Sequence, residues 1–210
     1  MSYMKKVDEL IKKLEKLYPE AKTALHFENP FQLLIATILS AQTTDERVNK
    51  VTKKLFEKFK TPHDFASANV KEIMKYIKSV NFYRNKAKNI KKLCEILTKE
   101  YNGKVPDKME ELLKLPGVAR KTANVVLSQG FRKSEGIVVD THVKRVSYRL
   151  GLTKNTDPEK VEKDLMKILP KEKWIDFPFR LILFGRNICK AKNPDCENCP
   201  FNKICVKKPK

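Results

Sequence analysis

Glycine is scarce in this chain, 6 of 210 residues, and that scarcity argues against turn-rich sheet architectures. Long runs of Lys, Leu, Ile and Glu fill the space instead, so the composition reads as all-α. No apolar run approaches the ~18–20 residues that cross a bilayer, which leaves no membrane partner to expect. The start, Met1-Ser2-Tyr3-Met4-Lys5-Lys6-Val7-Asp8-Glu9, lacks the apolar centre of a signal peptide. A soluble, intracellular chain is expected. Acidic residues are the minority, 25 against 45 Lys plus Arg, a formal net charge of +20. A globular chain this basic meets a polyanion, nucleic acid being the commonest, unless the lysines merely reflect a lysine-rich composition on every surface. There is no internal repeat, no low-complexity segment, and no carboxylate from Pro30 to Gln42.

What is present reads as a series of amphipathic helices. Val7, Leu10, Ile11, Leu14 and Leu17 predict a helix over 5–18, ending before Pro19. Residues 31–39 are apolar on nearly every side, which places that helix at the centre of a bundle. It runs into Ser40-Ala41-Gln42-Thr43-Thr44-Asp45-Glu46, where Thr43 and Glu46 have capping-box spacing and Gln42 lies at an exposed junction. Taken alone, Gln42 reads as a solvated loop amide. A further helix over 70–78 leads to Val80-Asn81-Phe82-Tyr83, a turn with Asn81 in the left-handed position. Cys94 falls on the apolar side of the long helix that follows and reads as a core thiol. Pro106-Asp107 starts the next helix. The polar stretch 132–136 marks a domain boundary, after which Asp140 has the position of an N-cap for Thr141–Leu150, stopped by Gly151. A helix follows Asp157-Pro158, and the last long one is expected over 174–188. The tail Lys207-Lys208-Pro209-Lys210 reads as basic and disordered.

Two stretches carry chemistry on their own residues. In Leu112-Leu113-Lys114-Leu115-Pro116-Gly117-Val118-Ala119-Arg120-Lys121-Thr122-Ala123 one helical run ends at Pro116-Gly117 and another begins within three residues. Such a hairpin leaves unpaired N–H groups at the second helix's N-terminus, which suit a phosphate. Lys121, in that first turn, becomes a nucleophile if a nearly dry pocket holds it as the free amine. The alternative is an ordinary helical corner with a solvated lysine. The second stretch is Cys189-x6-Cys196-x2-Cys199-x5-Cys205. Four thiols on a tight loop of an intracellular chain are metal ligands rather than a disulfide framework. Zinc and a [4Fe–4S] cluster are both chemically admissible from the ligand type.

Leu115-Pro116-Gly117-Val118-Ala119-Arg120-Lys121-Thr122-Ala123, then Val139-Asp140-Thr141-His142-Val143 with Arg145-Val146, then the four spaced cysteines, closely resemble the endonuclease III family. These are bifunctional DNA glycosylase/AP lyases of the helix-hairpin-helix superfamily with a Gly/Pro-rich loop and an aspartate. The resemblance extends to Ser40-Ala41-Gln42-Thr43-Thr44-Asp45 and Tyr83-Arg84-Asn85-Lys86-Ala87, nearly the whole chain in order. It implies a two-domain, all-α helix-hairpin-helix DNA glycosylase fold. Residues 23–134 would form a six-helix barrel domain holding the hairpin. Residues 135–210, with the N-terminal helix in 1–22, would form a second domain closed by a [4Fe–4S] cluster on Cys189, Cys196, Cys199 and Cys205. Damaged double-stranded DNA would lie over the cleft between them. The implied state is a monomer, cytoplasmic and nucleoid-associated in a prokaryote.

By the same resemblance Lys121 is the nucleophile and Asp140 the catalytic carboxylate, where the residues alone leave Asp140 as an N-cap. Gln42 would fill the hole left by a flipped base, and Phe82 stands at the apolar wedge position. Gly117 and Ala119 would hold a phosphate, and His142 would position DNA backbone unless it is a satisfied structural histidine. Two departures stand out. Asn81-Phe82 replaces the family's usual Gly-Leu, and Ala119 replaces the second glycine of Pro-Gly-Val-Gly. Alanine costs roughly 1 kcal/mol if φ there is positive, and nothing if φ is helical, the case expected. An adenine-mismatch glycosylase would lack Lys121 and carry a glutamate in the first buried helix, and thymine-mismatch enzymes usually replace the lysine. The remaining alternatives are a mismatch-specific monofunctional glycosylase and a non-catalytic DNA-binding protein with a structural metal loop.

Overall fold

The computed structural model describes residues 3–206, and the tail Lys207-Lys208-Pro209-Lys210 lies outside the described residues. The described residues form helices and no strand. They divide into two compact units, one of Ala24–Lys133 and the other of the residues up to Thr23 together with those from Ser134 onward.

The Ala24–Lys133 unit is built around α2 (Pro30–Ser40), whose residues from Phe31 to Leu39 are all buried. Pro30 sits where its missing N–H costs nothing, and the Asn29 side chain accepts from Gln32 N–H, so the helix start is defined by sequence. Around it lie α3 (Asp45–Lys58), α4 (Pro62–Ser67), α5 (Val70–Ile77) and α6 (Tyr83–Glu100). Phe31, Phe65 and Phe59 stack edge-on or tilted in the middle of this core, with centroids 5.7 and 4.8 Å apart. Cys94 is fully buried in the same core, and burial pushes its thiol pKa well up, so it is an inert apolar filler as expected.

α7 (Met109–Leu112) and α8 (Arg120–Val125) are the two arms of the hairpin, and α8 continues as a π-turn over Val126–Gly130. Leu112, Leu115, Val118 and Ala123 anchor both arms and the turn in the unit's core. Pro106-Asp107 does not start a helix, since the first arm begins only at Met109.

In the other unit α1 (Tyr3–Leu17), α9 (Thr141–Leu150), α10 (Pro158–Ile168) and α11 (Phe177–Asn187) share one apolar core. The buried Arg180 guanidinium donates to the Tyr18 carbonyl and fastens α11 to the chain just after α1. Gly185 lets α9 approach closely: a Cβ there would meet Arg145, His142 and Val146 within 3.1–3.2 Å. The helix expected over 174–188 starts only at Phe177. Residues 171–173 form a 3₁₀ turn, and the Trp174 indole N–H donates back to the Leu169 carbonyl.

Candidate nucleic-acid interface and metal loop

Two loops of the Ala24–Lys133 unit carry Gln42 and Phe82, and the fold brings them together. Both residues adopt left-handed backbone, φ +55 and +58, a conformation most side chains avoid. The sequence placed Asn81 there instead. Asn81 is released from that role because its side chain is used elsewhere: its Nδ2 donates to the Gln42 carbonyl. Its backbone N–H donates to Thr43 Oγ1 at 3.3 Å. Thr43 is therefore not the cap of α3. Thr44 is, accepting from Arg47 N–H. The outcome is a pair of cross-tied loops with Gln42 exposed and Phe82 62% exposed, an apolar ring held in solvent at a backbone cost.

Lys86 underlies this arrangement and is a residue whose role the sequence did not reveal. Only 7% exposed, it directs Nζ to the carbonyls of Leu39 (2.8 Å) and Ala41 (2.6 Å), the unpaired end of α2 just before Gln42. Burial lowers its pKa to about 8. Replacing it by Met strands two carbonyls, so Lys86→Met is expected to lose about 1–3 kcal/mol in urea unfolding at pH 7. The folded chain releases this proton at about pH 8 and the unfolded chain near 10.5. Between those values the unfolded state binds more protons, so stability rises with pH. The wild-type advantage over Lys86→Met is therefore expected to widen from pH 8 to 10.5. A narrowing gap would mean that the ammonium's bonds outweigh its burial.

In the hairpin, the amides of Leu115 and Val118 bond to the carbonyls of Leu112 and Leu115. The N–H groups of Gly117 and Ala119 stand outside that ladder, and both residues are exposed. Gly117 has φ +80, and a Cβ on it would sit 3.3 Å from Asn89 on α6, so glycine is required there. Ala119 has φ −93, ψ 168. That is extended backbone rather than the helical φ expected, and alanine adopts it without strain. Lys121 is the second residue of α8 and exposed, not held in a dry pocket by this chain.

Asp140, in the other unit, is the N-cap of α9: its Oδ1 accepts from the amides of His142 and Val143, both at 2.8 Å. Its Oδ2 stands 3.0 Å from His142 Nδ1, so that ring nitrogen donates and the Nε2 edge faces away from the carboxylate. The carboxylate is thereby fixed in orientation by three groups of its own helix.

The four loop cysteines gather beside the other end of α9. Cys189, Cys196, Cys199 and Cys205 line one small cavity walled by Leu150, Phe184, Ile188 and Pro194. Burial pushes the Cys199 thiol pKa up, and the neighbouring sulfurs of Cys189, Cys205 and Cys196 add to it. Four sulfurs around a shared apolar space suit a cluster that spans them. The loop is held by Arg149, which donates to the Lys190 carbonyl at 2.7 Å, and by Arg145, which donates to Gly185 O at 2.8 Å and Cys189 O at 3.1 Å. Phe201, fully buried, meets Phe184 edge to face at 5.1 Å.

Comparison with known proteins agrees with this geometry. Residues 35–171 match the model of the HhH-GPD superfamily base excision DNA repair protein, and residues 189–205 match the iron-sulfur binding domain of endonuclease III. The chain is 50% identical to endonuclease III of Synechocystis sp. over 204 residues, 97% of this chain and 93% of that protein. A solved structure of a trapped endonuclease III–DNA covalent intermediate superimposes with a TM-score of 0.92 at 50% identity, covering 98% of this chain and 97% of that one. A thermostable thymine-DNA glycosylase superimposes with 0.86 at 28% identity, 96% of each chain. Cys189, Cys196, Cys199 and Cys205 are the ligands of a [4Fe–4S] cluster. The match extends over nearly the full length of the chain, and the chain belongs to the endonuclease III family of the HhH-GPD superfamily of base excision DNA repair proteins.

Proposed function

We propose that this chain is a bifunctional DNA glycosylase and abasic-site lyase that removes oxidised pyrimidines from duplex DNA. The observation that carries the reading is the exposed lysine just past the hairpin turn, in a chain 50% identical to an endonuclease III trapped as a covalent intermediate with DNA. The target base is flipped out of the stack at a cost of a few kcal/mol. Gln42 occupies the space it leaves, and Phe82 wedges into the adjacent step. Gly117 and Ala119 bind a backbone phosphate through their free N–H groups, and His142 offers its Nε2 edge to the backbone.

Lys121 attacks C1′ as its free amine. The glycosidic bond breaks, and its electron pair leaves with the damaged base. Asp140 takes the proton that the lysine sheds and stabilises positive charge on the sugar. The sugar ring opens to a Schiff base between Lys121 Nζ and C1′. Loss of a C2′ proton then expels the 3′ phosphate, which cuts the strand 3′ to the site. The cluster, when bound, supplies iron–thiolate bonds that hold the cysteine loop closed. The enzyme acts as a monomer on DNA of the nucleoid, in the cytoplasm.

Borohydride reduction in the presence of abasic-site duplex tests the lyase: a covalent protein–DNA complex is expected, and none from folded, cluster-loaded protein overturns the reading. The wedge is tested separately. Phe82→Gly relieves a left-handed backbone, so stability should rise by up to about 1 kcal/mol. Excision of a paired thymine glycol should nonetheless fall about tenfold, while cleavage of an abasic site, which has no base to unstack, changes little. Equal losses on both substrates would remove Phe82 from base flipping.

A further inference from the structure

Beside the Gln42 and Phe82 loops runs a groove of about 790 Å³ between α3 and the end of α5. Five cations line it: Arg47, Lys50 and Lys54 from α3, with Lys75 and Lys78 opposite. No acidic side chain lines it, and all five cations are exposed. None has an acidic partner among the described residues; Arg47 instead donates to the Ser79 carbonyl at 3.3 Å, tying the groove's two walls together. A lysine-rich composition alone does not produce this. On another side of α3 a groove of nearly equal size, about 770 Å³, mixes Lys53 and Lys60 with Glu28 and Glu57.

We propose that this groove binds the phosphate backbone of the strand opposite the lesion, a second anion site apart from the hairpin. The inference rests on the reading that Gln42 enters the space of the flipped base, which sets it against the orphaned base of that opposite strand. α3 begins three residues after Gln42, and Ser79 lies three residues before Phe82, so the cationic groove is continuous with both loops. Arg47, Lys50 and Lys54 stand three and four residues apart on one face of α3, spread over about 10.5 Å of helix rise. The α3 cations therefore form a row long enough to meet about two to three successive phosphates of one strand. A backbone clamp here holds the undamaged strand while the other is opened, without reading its bases.

The test uses the full, cluster-loaded chain with Lys50, Lys54 and Lys75 changed together to Gln, exposed positions whose loss leaves the core untouched. Binding is measured against salt on a short duplex carrying an uncleavable abasic analogue. Each lost phosphate contact flattens the log–log slope by about 0.9, so the triple variant's slope should fall by about 2 to 3. Lys53→Gln with Lys60→Gln, in the mixed groove, should change it far less. Neutral methylphosphonates placed only in the opposite strand should weaken wild type and leave the triple variant nearly unaffected. The same replacement in the lesion strand should weaken both alike. An unchanged slope, an equal loss in the mixed-groove variant, or a triple variant that has lost its sensitivity to methylphosphonates in the lesion strand rather than in the opposite strand overturns the proposal. Borohydride trapping at saturating protein separates the two readings. Trapping by wild type with an unaltered variant slope sinks the groove alone, whereas no trapping by wild type sinks the lyase.

Discussion

Lys121→Gln is expected to abolish the borohydride-trapped complex and to slow strand cleavage at abasic sites on the order of 10³-fold or more, since in the proposed mechanism Lys121 supplies the attacking electron pair. The residue is exposed on the second position of α8 and contributes nothing to the core, so the folded state should be unchanged. Affinity for an uncleavable abasic duplex should stay within a few fold, because Gly117 and Ala119 still present their amides. Asp140→Asn provides the complementary measurement. Asparagine caps a helix about as well as aspartate, so α9 should hold, whereas proton acceptance by the carboxylate is lost. Excision is expected to fall about 10²- to 10⁴-fold with thermal unfolding nearly unchanged. If Asp140→Asn instead unfolds the protein and leaves residual activity normal, Asp140 is a cap and nothing more. Persistence of the trapped complex in Lys121→Gln would move the nucleophile to another amine.

The second large effect belongs to the cysteine loop. Cys199→Ser removes a ligand from the middle of the set, and the loop it closes is otherwise held by hydrogen bonds, those of Arg145 and Arg149 among them, and by the Phe201–Phe184 contact. Metal binding here is folding energy, so loss of the cluster should cost several kcal/mol and release the segment from Cys189 to Cys205. The visible absorbance of the iron–sulfur centre should disappear, limited proteolysis should cut within the loop, and the unit containing α9 should melt earlier. The effect reaches Asp140 because the loop's anchors lie on the helix that Asp140 caps. A colourless wild-type protein with stoichiometric zinc would refute the cluster, and a Cys199→Ser protein of unaltered melting temperature would refute its structural weight.

Local chemistry explains which features were legible from residues alone. A run apolar on nearly every side after Pro30 located the buried α2, and the apolar stripe of α6 placed Cys94 in the core. Asp140 before Thr141 and Gly151 after Leu150 bounded α9 as expected, because caps act within three residues of themselves. The cysteine spacing announced a metal loop, since four ligands within 17 positions need no distant partner. The family resemblance added roles for Lys121, Asp140, Gln42 and Phe82 that spacing did not contain.

Tertiary structure decided what depends on partners far along the chain. The left-handed residue of the wedge turn is Phe82 rather than Asn81, because Asn81 is bonded to Gln42 and Thr43, 39 and 38 positions away. Lys86 looked like one more helical lysine until its acceptors, 45 and 47 residues upstream, closed over it. Ala119 is tolerated because the hairpin holds it extended, a fact about the path of the turn and not about alanine. The cationic groove likewise exists only where α3 meets α5. By itself the sequence determined the helices, the hairpin with its lysine and the cysteine ligands, all governed by neighbours within a few residues. Which side chains are strained, buried or gathered into one charged surface was decided by contacts dozens of residues apart, which no local pattern encodes.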